Sequence, residues 1–580
     1  VTLILPSACA GTPAAPAAPG NDHSALLQVA QAANDANGAP PPRSAPAAGF
    51  GSYLAGRQAL NEADNKAAAD YFLKALKTDP TNVMLARHAY AFLLAEGDIE
   101  NGMAIAQRAL ELDPDESWAA ILLSVHDVQG GNYQAAVDRL KDVKEVGVNT
   151  VFVPLFRAWA LAGLERWDDA LKALASLKKS PSLQSLHDYH AGLILELAGR
   201  PEEAGKAYTA SLAKDSAPSV RAVQVVASLL YRHDHQTEAL DLIDSVRRVQ
   251  NHSPLVEALF AGAGNGEGLS APVVTARDGM AEALHSSATL LSGANMQGEA
   301  MITARLSTAL RPDFPFSTYM VASILEKQER YADMVDILKP VEKKNPAYYI
   351  LRLRLAAAYD QLEQTDEALK VLRGLEKDYP DQIDPVIAQA GIEHHQKNWL
   401  AAAALYQRVL DQTPEPSANQ WNIYYALGMC LERGKRWPEA EKALQTALTL
   451  MPDQPSVLNY LGYSWIDRGI NLEEGKALIE KAVAQRPADG YIIDSLGWAY
   501  YLTGDYERAV TELEKAIEYT PADPTINEHL GDAYWRVGRR SEAYFQWQRA
   551  LTLDPEPDMI APLKEKLEKG LPAAHPKGQN

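Results

Sequence analysis

Three histidine pairs come nearest to the spacing that metal chemistry needs: His187 with His190 in "HDYH", His233 with His235 in "HDH", and His394 beside His395 in "EHH". A zinc site requires three or four converging ligands, usually with Cys or carboxylates in support. These pairs fall in separate stretches of chain, so the expectation is no metal site. The glycine cluster "GAGNGEG", residues 262–268, has the small residues of a phosphate cradle but lacks the Gly-Lys-Ser/Thr ending that supplies charge and a metal ligand. It reads as a linker. No "GxSxG" elbow, "HExxH" helix or Cys with an activating His occurs. Acidic pairs such as Glu202–Glu203 and Glu473–Glu474 open helices, where negative charge favours the dipole. The residue types therefore point to a chain that is not an enzyme and needs no cofactor.

The two cysteines belong to different contexts. Cys430, in "YYALGMCLERG", sits in an apolar helical pattern, where a free thiol behaves as a small buried hydrophobe. Cys9 ends the short apolar run "LILPSAC" and is followed by an Ala/Pro/Gly-rich stretch with one weak helical segment near Leu26 to Ala33. Such a stretch cannot bury enough apolar surface to offset ordering, and it reads as an extended tether.

What positions the remaining residues is a repeat. Gly531 is followed twelve residues later by Ala543 and twelve later by Pro555, and the same spacing occurs thirty-four residues upstream as Gly497, Ala509 and Pro521. Extended backward, the ladder runs Ala543, Ala509, Gly475, Ala440, Ala402, Ala368, Met334, Ala300, Ala239, Ala204, Ala170, Ala136, Gly102 and Ala68. Ten of these fourteen positions have proline twelve residues on. A fixed period of this size signals stacked supersecondary units. Small residues let paired helices approach to about 8–10 Å, while proline cannot continue a helix and marks the exit turn. Large residues four past the ladder, such as Phe72, Tyr208 and Trp547, are expected to fill the wedge between units.

These positions resemble the tetratricopeptide repeat, with Leu-Gly in the first helix ("YLGYSW", "SLGWAY", "HLGDAY") and Ala-large-Ala in the second ("RAVTELEKAI", "EAYFQWQRAL"). The resemblance covers roughly residues 49 to 556. It implies an all-α fold: a right-handed α-solenoid superhelix of about fourteen helix hairpins with a long concave groove. The expected layout is a lipoprotein-like start and tether at 1–49, an N-terminal array at 50–249, an irregular hinge or insertion at 250–278, a C-terminal array at 279–557, and a capping helix and tail at 558–580.

In repeats of this kind the first helices line the groove, at positions three before, one after and four after the glycine. Carried onto the last four units, these are Tyr425, Met429 and Glu432; Asn459, Tyr463 and Ile466; Asp494, Trp498 and Tyr501; and Glu528, Asp532 and Trp535. An aromatic and acidic run suits an extended peptide or protein segment with apolar and basic side chains. Tyr53, Arg57, Trp159 and Tyr189 occupy earlier groove positions without such concentration. A net charge of -20 argues against broad nucleic-acid binding.

The start around Cys9 resembles the end of a bacterial lipoprotein signal, although Leu5 stands four before the cysteine where that pattern wants three. The later motifs "LNYLGYSWIDRGINLEEGKALIEKA" and "DSLGWAYYLTGDYERAVTELEKA" resemble those of proteobacterial tetratricopeptide lipoproteins of the cell envelope, some of which are adaptors for proteases or cell-wall enzymes. The resulting expectation is a protein-binding scaffold or adaptor, lipidated at Cys9 and anchored to the outer membrane on its periplasmic side, with membrane contact only through the lipid. A soluble cytoplasmic regulatory or chaperone-like module is the alternative.

Overall fold

A computed structural model describes residues 47–62, 64–213, 219–249, 254–260, 262–266, 269–412 and 416–572. Cys9 and the tether to residue 46 lie outside the described residues. Every regular element among them is helical, and the helices pair into fourteen antiparallel hairpins, from Ala47–Asn61 with Asn65–Thr78 to Pro524–Arg536 with Arg540–Thr552. The helix Pro557–Lys569 closes the series. The all-α solenoid of stacked hairpins is the fold that the repeat implied.

The repeat positions explain why. All fourteen ladder residues fall in second helices and all are buried. Phe72, Tyr208 and Trp547 are each 0% exposed. The facing glycines leave room for them: a Cβ on Gly531 would lie 2.5 Å from the Trp547 ring, and one on Gly192 would lie 2.4 Å from Tyr208. Gly462 and Gly475 face each other so closely that a Cβ on either would meet the other's carbonyl oxygen, at 2.6 and 2.8 Å. The prolines that follow the ladder lie outside helices, except that Pro414 falls outside the described residues.

Hairpin turns place one residue in the left-handed region. Glycine takes it at Gly199 and Gly504, as their sequence position suggests, but Glu165, Glu329, Glu363, Lys397 and Lys435 take the equivalent place with φ near +60°. Asp505 then caps its helix by accepting from the Arg508 amide at 3.3 Å, and Asp523 accepts from Ile526 at 3.0 Å.

The chain divides between Leu375 and Glu376 into two compact units. In the first, residues 250–278 contain the short helix Pro254–Phe260 and a 3-10 turn at Ala263–Asn265. Val256, Phe260 and Leu269 pack with Val223, Ile243 and Phe314, and Ser228 donates to the Ser270 carbonyl at 2.7 Å. Thr275 and Asp278 then form a reciprocal cap that opens the helix Ala276–Gly293.

Candidate partner-binding grooves

In the first unit the inner faces of the early hairpins are taken up by the chain itself. The helix Ala276–Gly293 packs on Asn149–Gly163 and also touches Ser117–Gln129 and Gln184–Leu197, while Gln297–Leu310 packs on Val83–Glu96. Gly279 allows the closest approach, since a Cβ there would stand 2.0 Å from the Trp159 ring. Glu282 is 0% exposed and pairs with Arg221; it also accepts from the Tyr189 hydroxyl at 3.2 Å. Arg311 lies 3.7 Å from the same carboxylate. Burial of this carboxylate is opposed by Arg221, whose charge holds the Glu282 pKa below the usual range.

His190 joins the same contact. Trp159 Nε1 donates to His190 Nδ1 at 3.1 Å, which leaves Nε2–H to donate to the Ser286 hydroxyl at 3.2 Å. Burial lowers the His190 pKa to about 4, so the ring is neutral and this tautomer stands. Arg330 reaches Glu96 with two hydrogen bonds of 2.8 and 2.5 Å across a separation of 234 residues. Trp159 and Tyr189, two of the earlier groove positions, thus hold a helix of their own chain. The signals available in the sequence were the long interval between Ala239 and Ala300 and the small and acidic residues of "ARDGMAEAL" within it.

In the second unit, nine of the twelve groove positions carry the aromatic, amide and acidic contacts expected to meet a partner, and they divide by burial. Tyr425, Asn459, Asp494 and Asp532 are buried. Tyr463, Trp498, Tyr501, Glu528 and Trp535 are half-buried. Tyr425 meets Tyr460 edge to face at 5.9 Å. Asp494 accepts from His529 Nδ1 at 2.9 Å. Asp532 accepts from Trp547 Nε1 at 2.8 Å, and Lys566 of the terminal helix donates to both Asp532 and Glu528 at 2.8 Å. Trp535 Nε1 donates to the Leu571 carbonyl at 3.1 Å. The last acidic and aromatic positions are therefore satisfied by the segment that caps the stack.

Upstream of that cap the groove positions carry unmet demands. Trp498 and Tyr501 stack with centroids 4.6 Å apart and planes 8° from parallel, and both keep part of their surface in solvent. Asn459 is 6% exposed, and its side-chain oxygen is buried with no hydrogen-bond partner. A buried amide oxygen without a partner costs roughly 1–3 kcal/mol. Met429 and Ile466, also at groove positions, are buried and belong to the stack.

Of the histidine pairs, His187 and His190 are buried and His394 is half-buried, while His233, His235 and His395 are exposed. His187 contacts Asp188 at 2.8 Å, and His394 meets Trp399 edge to face at 5.0 Å. Among the described residues no group of three or more His, Cys, Asp or Glu is arranged to hold a metal ion. Cys430 is 0% exposed, and burial pushes its thiol pKa up to about 12, so it packs as a hydrophobe. Among the described residues no helix is long and apolar enough to cross a membrane.

Comparison with known proteins identifies the repeats. Family models described as tetratricopeptide or TPR repeat match residues 93–150, 157–219, 325–390, 395–455 and 497–538. A TPR repeat-containing protein of Pseudomonas aeruginosa, PA4667, is 32% identical over 158 residues, 25% of each chain. A second such protein, YpiA of Bacillus subtilis, is 24% identical over 28% of this chain and 38% of its own length. The chain thus spans only about a quarter to two fifths of these relatives. Among solved structures, the Cut9–Hcn1 hetero-tetramer of the APC/C aligns over 94% of this chain and 99% of its own at 15% identity and a TM-score of 0.36. A tetratricopeptide repeat protein from Parabacteroides merdae aligns over 43% and 96% at 16% identity, with a TM-score of 0.37.

Proposed function

We propose that this chain, an array of tetratricopeptide repeats, is a non-catalytic scaffold or adaptor that binds an extended protein segment along the inner face of its C-terminal hairpins. The observation that carries the reading is the half-exposed Trp498–Tyr501 stack one hairpin away from the unpartnered Asn459 amide oxygen. The exposed parts of these rings contribute apolar contact at low entropic cost, and an orphan amide oxygen favours a peptide N–H over a featureless apolar surface. The early hairpins are the weaker candidates, because a helix of the chain already lies against them.

The proposed setting is the bacterial envelope, with the body tethered through a lipid on Cys9. This part rests on the resemblance of "LILPSACAG" to a lipoprotein signal. Envelope proteases and cell-wall enzymes are the partner classes it suggests.

A photo-reactive side chain at Tyr463 or Trp498, irradiated in cells, is expected to capture a protein partner. Trp498→Ala and Asn459→Leu are expected to weaken that partner's recovery; undiminished recovery from both variants would remove the groove from consideration. Metabolic labelling with a fatty-acid analogue should mark Cys9 and place the protein in the membrane fraction. Soluble, unlabelled protein would end the tether proposal and favour the cytoplasmic alternative.

A further inference from the structure

Return of the helix Ala276–Gly293 onto the early hairpins leaves a cavity of about 380 Å³ at its C-terminal end. The walls come from three places: the start of Asn149–Gly163, with Val148 and Phe152; the 3-10 turns at Leu174–Lys179 and Pro181–Leu183, with Leu183; and Leu291 of the returning helix. The volume falls at the low end of the small-molecule range, roughly 300–1,000 Å³, and the apolar walls favour a guest with an apolar body.

The polar groups around it define the rest of the guest. Thr150, Ser287 and the pair Ser180–Ser182 already make hydrogen bonds within the chain. Ser176 does not: its hydroxyl is buried with no partner. Lys179 and Glu145 also line the cavity, and both are exposed at its rim. Among the described residues neither makes an ion pair. Ser176 and Lys179 stand three residues apart in one 3-10 turn and so share a face; an anionic head can accept from the hydroxyl and pair with the ammonium together, whereas a cationic head would meet Lys179 as a like charge.

We propose that this cavity is a binding site for a mid-length acyl carboxylate, its chain against Phe152, Leu183 and Leu291 and its head between Ser176 and Lys179. The site is independent of the protein-binding groove, since it lies among the hairpins of the first unit. It exists only because the helix Ala276–Gly293 lies where it does, so occupancy would also brace that helix.

Isothermal titration of the full chain with decanoate, decanol and acetate tests this. Decanoate is expected to bind saturably at one site, decanol more weakly, and acetate not at all. Lys179→Gln is expected to weaken decanoate roughly five- to tenfold, the effect of losing one charge-assisted hydrogen bond at a partly exposed position. Glu145→Gln is expected to strengthen it, because the competing carboxylate is gone. Leu291→Trp should fill the cavity and abolish binding; if that variant proves unfolded by circular dichroism, the two rim variants decide alone, since neither side chain is in the core. Absence of saturable binding, equal affinity for decanoate and decanol, or indifference to both rim changes would overturn the proposal.

Discussion

Trp498 lies flat on the imidazole of His529, with ring centroids 3.9 Å apart and planes 14° from parallel, although the two residues belong to consecutive hairpins. The same indole stacks on Tyr501, and Asp494 holds the histidine from the other hairpin at 2.9 Å. A side chain that lines the groove is thus also a joint between repeats. Changes there alter stacking and recognition together, so binding tests of Trp498 need a stability control.

The joint is expected to respond to pH. Burial disfavours a charged His529, but the carboxylate of Asp494, aided by Asp532 and Glu528, outweighs it and raises the His529 pKa above the ordinary 6.5. A raised histidine pKa contributes stability that is fully present below the unfolded value near 6.5 and is lost as pH rises through the folded value. Trp498 emission, quenched by the imidazolium, should therefore increase across a titration whose midpoint lies above 6.5. Asp494→Asn should lower that midpoint, and a wild-type titration centred below 6.5 would refute the assignment.

Removing the charge of Glu282 should loosen the first unit. Glu282→Gln leaves Arg221, whose side chain is only 11% exposed, without its counter-charge, and breaking a buried pair from one side costs up to about 3–5 kcal/mol. Hydrogen exchange is expected to accelerate in Ala276–Gly293 and in the face of Asn149–Gly163 beneath it. The double change Arg221→Met with Glu282→Leu should recover most of the protection; unchanged exchange in the single variant would show that apolar packing alone holds the helix.

Two glycines of the second unit should respond with opposite signs. Gly462→Ala places a Cβ 2.6 Å from the Gly475 carbonyl oxygen, a backbone atom that cannot step aside, and overpacking of this kind costs about 1–3 kcal/mol. Gly391→Ala meets nothing within 4 Å and sits inside the helix Asp384–His395, where alanine is favoured by up to about 1 kcal/mol. Thermal unfolding followed at 222 nm should move down for the first and up for the second. Equal shifts would mean that hairpin closeness does not limit stability at Gly462.

Much of the architecture is legible along the chain because its causes are local. The twelve-residue spacings record where one helix touches its partner and where the pair ends, and those contacts involve residues close in sequence. Ala509 and Ala543 are therefore 0% exposed where the ladder placed them, and Gly497 and Gly531 face Leu513 and Trp547 across the hairpin. The left-handed turn residues are only half legible: Gly504 announces itself, but Glu363 and Lys435 take the same conformation because the hairpin requires it and the second helix compensates the strain.

The groove is another matter. Periodicity by itself identified Asp532 and Trp498 as sharing a kind of position, yet only the tertiary structure decided that Asp532 is neutralised by Lys566, thirty-four residues on, while Trp498 keeps part of its surface in solvent. Likewise the repeat placed Trp159 and Tyr189 on inner faces, but it could not say that a helix more than 80 residues later would lie against them. Hairpin formation is decided by contacts between near neighbours. Closure of the first unit on its own helix depends on how small rotations add up over many hairpins, and no single repeat encodes that sum.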